Sequence, residues 1–270
     1  MIYPRIWKNT TTLDAYLSDL NFETDPSQAE VALVGTRVFN VEEMPNLRMI
    51  FRCGVGTDNI PWQSCSAHGV RVVLPSSTTQ EIIFEETANF TVFALLTAFF
   101  SDLGDVPTWT KQPRQSLATR RVLVLGNGNI GSKVVDKMQS LCKVSVWDPK
   151  ESARSELLNL LTKADAVTLH MPLSQETRGW LDAELMGYLQ TGAWIINTAR
   201  GEVVDEKALY DEVIQGRLKA FFDVFWNEPY SGILADLDDE GFLMTPHVAS
   251  QTSQFLESLA EDFYASLGQA

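Results

Sequence analysis

Short apolar runs alternate with helical periods from the first residues onward. They cover Ile2 to Trp7, a predicted helix from Thr11 to Leu20, and then Val31 to Val34, Met49 to Arg52 and Val70 to Leu74. Runs of this length between turn signals predict βαβ units around a largely parallel sheet. A long helix is predicted from about Glu81 to Phe100, with Phe90 to Phe100 as a core or interface face, followed by a polar connector containing Pro107, Lys111, Pro113 and Arg114. At Arg121 the rhythm restarts with a strand to Leu125, a glycine turn, a helix to about Leu141 and a strand from Lys143 to Trp147. Further strands are predicted at Ala166 to His170, Ala193 to Asn197, Ala220 to Phe225 and Phe242 to Met244. Helices are predicted at Ser152 to Leu161, Asp182 to Leu189, Glu206 to Gln215 and, amphipathically, Ser253 to Leu267. The fold class is therefore α/β with two doubly wound parallel-sheet lobes. One covers residues 1–84, with 252–270 packing back on it, and the other covers 85–251.

Composition narrows the choice of partner. The 270 residues are 45% hydrophobic and carry a formal net charge of −14. Such a charge disfavours nucleic acid and anionic membranes, because a duplex is bound chiefly by neutralising its phosphates with Lys and Arg. Phe90 to Phe100 is about half the roughly 20 residues that a membrane-spanning helix needs. Met1 to Thr12 has no apolar run behind a basic stretch, so no secretory leader is expected. The three cysteines, Cys53, Cys65 and Cys142, are too widely spaced for a disulfide framework or a zinc site. They suit reduced thiols, and with them a cytoplasmic location and no metal.

The stretch Gly126-Asn-Gly128-Asn-Ile-Gly131 follows an apolar strand and opens a helix, the context that marks a dinucleotide fingerprint. Gly126 permits the tight turn, Gly128 lets the backbone approach a pyrophosphate, and Gly131 allows close helix–strand packing at a helix N-terminus that favours anions. The next strand ends at Asp148, 17 residues beyond Gly131. A carboxylate there can accept hydrogen bonds from the adenosine ribose and repels a 2′-phosphate, so NAD is expected over NADP, with Lys150 and Arg154 nearby as the counterargument. Three later segments each follow a predicted strand: Asn197-Thr-Ala-Arg200-Gly201, Asp223 to Pro229, and Thr245-Pro-His247-Val-Ala-Ser250. In a doubly wound sheet the carboxyl ends of the strands form the ligand crevice. Reducing a 2-keto acid needs a cation for the carboxylate, an acid for the developing alkoxide and a group that keeps the acid charged. Arg200, His247 and Glu228 could supply these. His170 reads as a strand-end packing residue and His68 as a turn residue.

Together with Arg52 to Ile60 and Leu169-His-Met-Pro-Leu173 with Glu176-Thr177, these motifs resemble the D-isomer-specific 2-hydroxyacid dehydrogenase family in order and spacing from about Val31 to Ser250. The resemblance implies a flavodoxin-like substrate lobe beside a Rossmann NAD-binding lobe, and interconversion of a small D-2-hydroxy acid and its 2-keto acid. It implies that His247 is the acid and base, that Glu228 holds the imidazole in its charged form, and that Arg200 grips the carboxylate, aided by backbone N–H groups around Val55 and Gly56. Asp223 would meet the nicotinamide carboxamide, Pro172, Thr177 and Thr198 would line the cofactor channel, and Asn129 and Ile130 would cover the pyrophosphate.

Some positions depart from the family pattern. Pro75 is followed by Ser76, Ser77, Thr78 and Thr79, Pro61 stands where an acid is frequent, Asn129 stands where Arg is common, and the segment before Arg121 is short. Arg52 resembles the phosphoglycerate dehydrogenase branch and, with Arg37, is a candidate phosphate site. Glyoxylate, hydroxypyruvate and larger 2-keto acids stay open. So do a relative acting on phosphite or formate and an NAD-sensing, corepressor-like interaction protein on the same fold. A homodimer through Phe90 to Phe100 is expected.

Overall fold

The computed structural model describes residues 3–237 and 241–268. The chain divides into two compact units, one of Met1–Ile83 with Ser250–Ala270 and one of Phe84–Ala249. The first unit contains β1 (Ile6–Lys8), β2 (Phe22–Glu23), β3 (Val31–Val34), β4 (Met49–Arg52), α1 (Trp62–Ala67), β5 (Arg71–Val73), the start of α2 (Ser77–Phe99) and the C-terminal helix Ser253–Leu267. Its sheet runs β2-β1-β3-β4-β5, with every pair parallel. This is the flavodoxin-like order, with a switch point between β1 and β3.

Alternate residues of these strands feed opposite faces, as a period of two requires. Val31, Leu33, Met49 and Phe51 pack with Phe255, Leu259 and Phe263 of the C-terminal helix. Ala32, Val34 and Ile50 pack on the other side with Val41, Leu47 and Cys65.

The predicted helix Thr11 to Leu20 is not formed; the segment is a series of turns. Leu13, Leu17 and Leu20 are buried at helical spacing, yet their bonds mix i→i+3 and i→i+4 closures. The Thr10 hydroxyl accepts the Thr12 N–H at 3.2 Å and shares a hydrogen bond with the Thr12 hydroxyl at 2.7 Å, competition that disfavours a regular helix. Of the first predicted strand, Ile2 lies outside the described residues, and β1 begins at Ile6.

The second unit continues α2 and adds β6 (Gly104–Asp105), β7 (Thr110–Lys111), β8 (Arg121–Leu125), α3 (Gly131–Met138), β9 (Lys143–Trp147), α4 (Arg154–Leu161), β10 (Ala166–Leu169), α5 (Ala183–Gly187), β11 (Trp194–Asn197), α6 (Glu206–Ile214), β12 (Lys219–Phe222) and β13 (Phe242–Met244). The polar connector holds a small antiparallel hairpin of β6 and β7. The main sheet runs β13-β12-β11-β10-β8-β9 and is parallel throughout. Its order reverses between β8 and β10, so the loops after these two strands flank the ligand crevice of a Rossmann-type sheet.

Val122 and Val124 face α2 and α3, while Leu123 and Leu125 face α4, α5 and α6. Each fully buried Leu or Phe in these layers contributes about 1.5–3 kcal/mol. By length and composition α2 could cross a bilayer, but Ala88, Ala94, Leu95, Ala98 and Phe99 are buried in the core of this unit. The free thiols of Cys53 and Cys142 are pushed by burial up to about 12 and about 11, so neither is a reactive nucleophile.

Candidate active site

The glycine loop is a product of close backbone approach. Gly126 adopts φ +98°, and a Cβ there would stand 2.9 Å from the carbonyl oxygen of His170, at the end of the neighbouring β10. A Cβ on Gly131 would fall 2.0 Å from the Gly126 carbonyl oxygen, so α3 can start this near the strand only without a side chain. Around Gly128 nothing lies within 4 Å of a Cβ, so its backbone faces open space. At the start of α3 the Ser132 N–H donates to the Gly128 carbonyl and the Val134 N–H to the Ile130 carbonyl, each at 3.0 Å, so the loop runs straight into the positive end of the helix dipole. An open glycine before a helix N-terminus fits a pyrophosphate.

Asp148 braces the loop. Its Oδ2 accepts the Asn127 N–H at 2.9 Å and its Oδ1 accepts the Lys150 N–H at 3.0 Å. These backbone bonds hold the carboxyl below its ordinary range, so the group at the ribose position is anionic. Ile130 packs against the core beneath the loop, whereas Asn129 is exposed. The His170 imidazole lies 3.0 Å from the Thr168 hydroxyl, and burial pushes it down to about 3, leaving a neutral ring.

Thr177 is committed to its own turn, donating to the Pro172 carbonyl at 2.7 Å and accepting the Ser174 N–H at 2.7 Å. Thr198 is buried, with its hydroxyl 2.9 Å from that of Thr91 on α2.

Arg200 lies three residues past β11, half-buried, with Nη1 donating to the Ala199 carbonyl at 2.7 Å. A Cβ on the next residue, Gly201, would meet the Phe225 carbonyl carbon at 2.2 Å. Glycine at 201 therefore lets the Arg200 turn lie against the loop after β12. That loop carries Glu228, whose peptide bond to Pro229 is cis.

Both Glu228 carboxylate oxygens stand 3.0 Å from His247 Nδ1, and Oε1 also accepts the Phe225 N–H at 3.3 Å. Burial alone would raise the Glu228 carboxyl. The hydrogen bond and charge of His247, the Phe225 N–H and the Arg200 guanidinium outweigh it and hold the group below 4.5.

His247 has φ +54°, a left-handed backbone that costs a non-glycine residue about 1–2 kcal/mol. Asp223 holds that conformation. Its Oδ1 accepts the Thr245 hydroxyl at 2.7 Å and the Val248 N–H at 2.8 Å, and its Oδ2 accepts the Ala249 N–H at 2.9 Å. Burial nonetheless raises the Asp223 carboxyl above its usual value. The residue expected at the nicotinamide carboxamide is thus also the anchor of the histidine loop, a task its motif did not reveal.

In the first unit, Arg52 is buried. Its Nε donates to the Gly56 carbonyl at 2.7 Å and its Nη1 to the Cys53 carbonyl at 3.0 Å. A buried guanidinium has to spend its donors on nearby acceptors. These bonds let Arg52 shape the 53–56 loop, in which Val55 and Gly56 are half-buried and Gly54 takes φ +145°. Among the described residues, no group of three or more His, Cys, Asp or Glu could hold a metal ion.

A glycine loop at a sheet switch point and an Arg–Glu–His set beyond later strands of the same sheet define a dinucleotide-dependent oxidoreductase. Residues 104–249 match the family described as D-isomer specific 2-hydroxyacid dehydrogenase, NAD binding domain. The chain is 33% identical over 232 residues to (S)-sulfolactate dehydrogenase of Chromohalobacter salexigens, covering 80% of this chain and 75% of the relative. It is 29% identical over 251 residues to glycerate dehydrogenase of Methylorubrum extorquens, covering 86% and 80%. Its fold is shared with D-lactate dehydrogenase from Aquifex aeolicus, solved with NAD and lactic acid, at a TM-score of 0.80 and 23% identity over 97% of this chain and 94% of that one. The chain belongs to the D-isomer-specific 2-hydroxyacid dehydrogenase family and is an NAD-dependent enzyme.

Because the folded-state carboxyl of Glu228 is depressed, its contribution to stability is present above 4.5 and is lost as the pH falls through the lower folded value. Urea midpoints of the native protein and Glu228→Gln, compared from about pH 7 to about pH 3, should therefore converge on acidification. A gap that stays constant over that range contradicts the assigned ion pair.

Proposed function

We propose that the enzyme interconverts a small D-2-hydroxy acid and its 2-keto acid, with His247 as acid and base, Glu228 steadying it and Arg200 gripping the carboxylate. The observation that carries this reading is the pairing of His247 Nδ1 with both oxygens of Glu228 at 3.0 Å. It commits one ring nitrogen to the protein and leaves Nε2 for the substrate oxygen. When bound, the nicotinamide ring supplies two-electron donor or acceptor chemistry at carbon 2 of the acid.

In reduction, His247 Nε2–H donates its proton to the carbonyl oxygen as negative charge develops there; in oxidation the same nitrogen removes the hydroxyl proton. Glu228 stays ionised throughout, since its carboxyl is held low, and stabilises the imidazolium without taking its proton. Arg200 offers a planar fork that matches a carboxylate at two points and orients the 2-keto group relative to His247.

The two relatives named above act, by their names, on acids with a polar group on carbon 3. Three-carbon 2-keto acids with a polar carbon-3 substituent are therefore the first substrates to screen by NADH oxidation. We also infer a cytoplasmic homodimer, supported by the three free thiols and by Phe93, which leaves half of its surface exposed on the 90–100 face of α2.

His247→Ala should lower kcat by about 100-fold or more while NADH binding stays intact. An unchanged kcat rules out His247 as the acid. Arg200→Lys should chiefly raise KM for the keto acid, because an ammonium cannot reproduce a two-point grip, and an unchanged KM places the clamp elsewhere. Light scattering should return twice the chain mass of 30.2 kDa; a single-chain mass contradicts the dimer.

A further inference from the structure

Asn197, the last residue of β11, has no exposed surface. A buried amide is costly unless its donors and acceptors are met, and every bond this one makes leads to the site. Its Oδ1 accepts the Ala199 N–H at 3.0 Å, closing an Asx turn, and its Nδ2 donates to the Arg200 carbonyl at 2.8 Å. Its own carbonyl accepts the Asp223 N–H at 3.0 Å, one residue beyond β12. Asp223 then holds Thr245, Val248 and Ala249, the residues that bracket His247.

We propose that Asn197 is a positioning residue that keeps Arg200 in register with His247. It acts through its side-chain bonds to the Arg200 turn and its backbone bond to Asp223. The inference rests on the clamp role given to Arg200 above. Substrate recognition then depends on a residue that is sealed at the carboxyl end of an interior strand and works only through the guanidinium it sets in place. A serine at 197 keeps an acceptor for the Ala199 N–H but loses the donor to the Arg200 carbonyl. An aspartate keeps the shape and sets a carboxylate against that carbonyl. Either change frees the turn, and a displacement of about 1 Å in a positioning group can cost about 100-fold in rate.

The test is a double-mutant cycle of Asn197→Ser and Arg200→Lys, read as KM and kcat for the best keto acid from the screen together with the NADH dissociation constant by fluorescence. Asn197→Ser should raise KM by about 10-fold or more with NADH affinity within about twofold, and the double variant should be no worse than Arg200→Lys alone. A raised KM in Arg200→Lys with an unchanged KM in Asn197→Ser overturns this inference and spares the clamp. An unchanged KM in Arg200→Lys removes the clamp reading itself. Effects that multiply in the double variant, or a loss of NADH binding in step with KM, make Asn197 a general structural residue and overturn the proposal. Should the serine variant not fold, Asn197→Asp takes its place under the same criteria, and failure of both to fold counts against a positioning role.

Discussion

A carboxylate removed from water has to collect its hydrogen bonds from protein, and Asp223 collects three of them from the short stretch Thr245 to Ala249. Leaving even one such donor or acceptor unmet costs about 1–3 kcal/mol, so the stretch is held to one geometry. That geometry includes the left-handed backbone of His247. The strain is local and small beside the cost of an unsatisfied buried carboxylate. The position of the imidazole is therefore decided by Asp223, a residue 24 places earlier in the chain, and its orientation by Glu228.

Two other approaches extend this constraint across the parallel sheet of the second unit. The missing side chain of Gly201 lets the Arg200 turn rest on the Phe225–Trp226 backbone, and the missing side chains of Gly126 and Gly131 let the nucleotide loop close on itself. Each side chain of the proposed Arg–Glu–His set thereby follows the carboxyl end of a strand in this sheet. Such attachment suits catalysis, which depends on groups that need no reorganisation when charge develops.

Legibility in the sequence followed burial. Strands covered on both faces, such as Val31–Val34, Met49–Arg52 and Arg121–Leu125, announce themselves as short apolar runs, whereas the edge strand Lys143–Trp147 shows itself by alternation, and the structure places all four at those residues. The edge strand Phe22–Glu23 has two residues and no pattern to detect. The Thr11 to Leu20 segment shows the right spacing of leucines, but spacing reports which side chains are buried, not which hydrogen bonds close. The glycine loop and the Arg–Glu–His set stand out in the sequence because the proposed chemistry needs those residue types after strands. The partners of Arg52, Asn197 and Asp223 were not, because a buried polar group reveals its task only through the backbone it meets. Asn two residues before Ala and three before Arg was the available hint, an Asx-turn signature.

The claim on which these relations depend is that Arg200 and His247, held by buried polar side chains, converge on one 2-keto acid. Its most direct test is a crystal structure with NADH and oxamate, an unreactive keto-acid analogue. The account predicts the oxamate carboxylate in two-point contact with Arg200 and its carbonyl oxygen within hydrogen-bond distance of His247 Nε2. Oxamate bound with its carbonyl turned away from His247, or its carboxylate held by other groups, would contradict it.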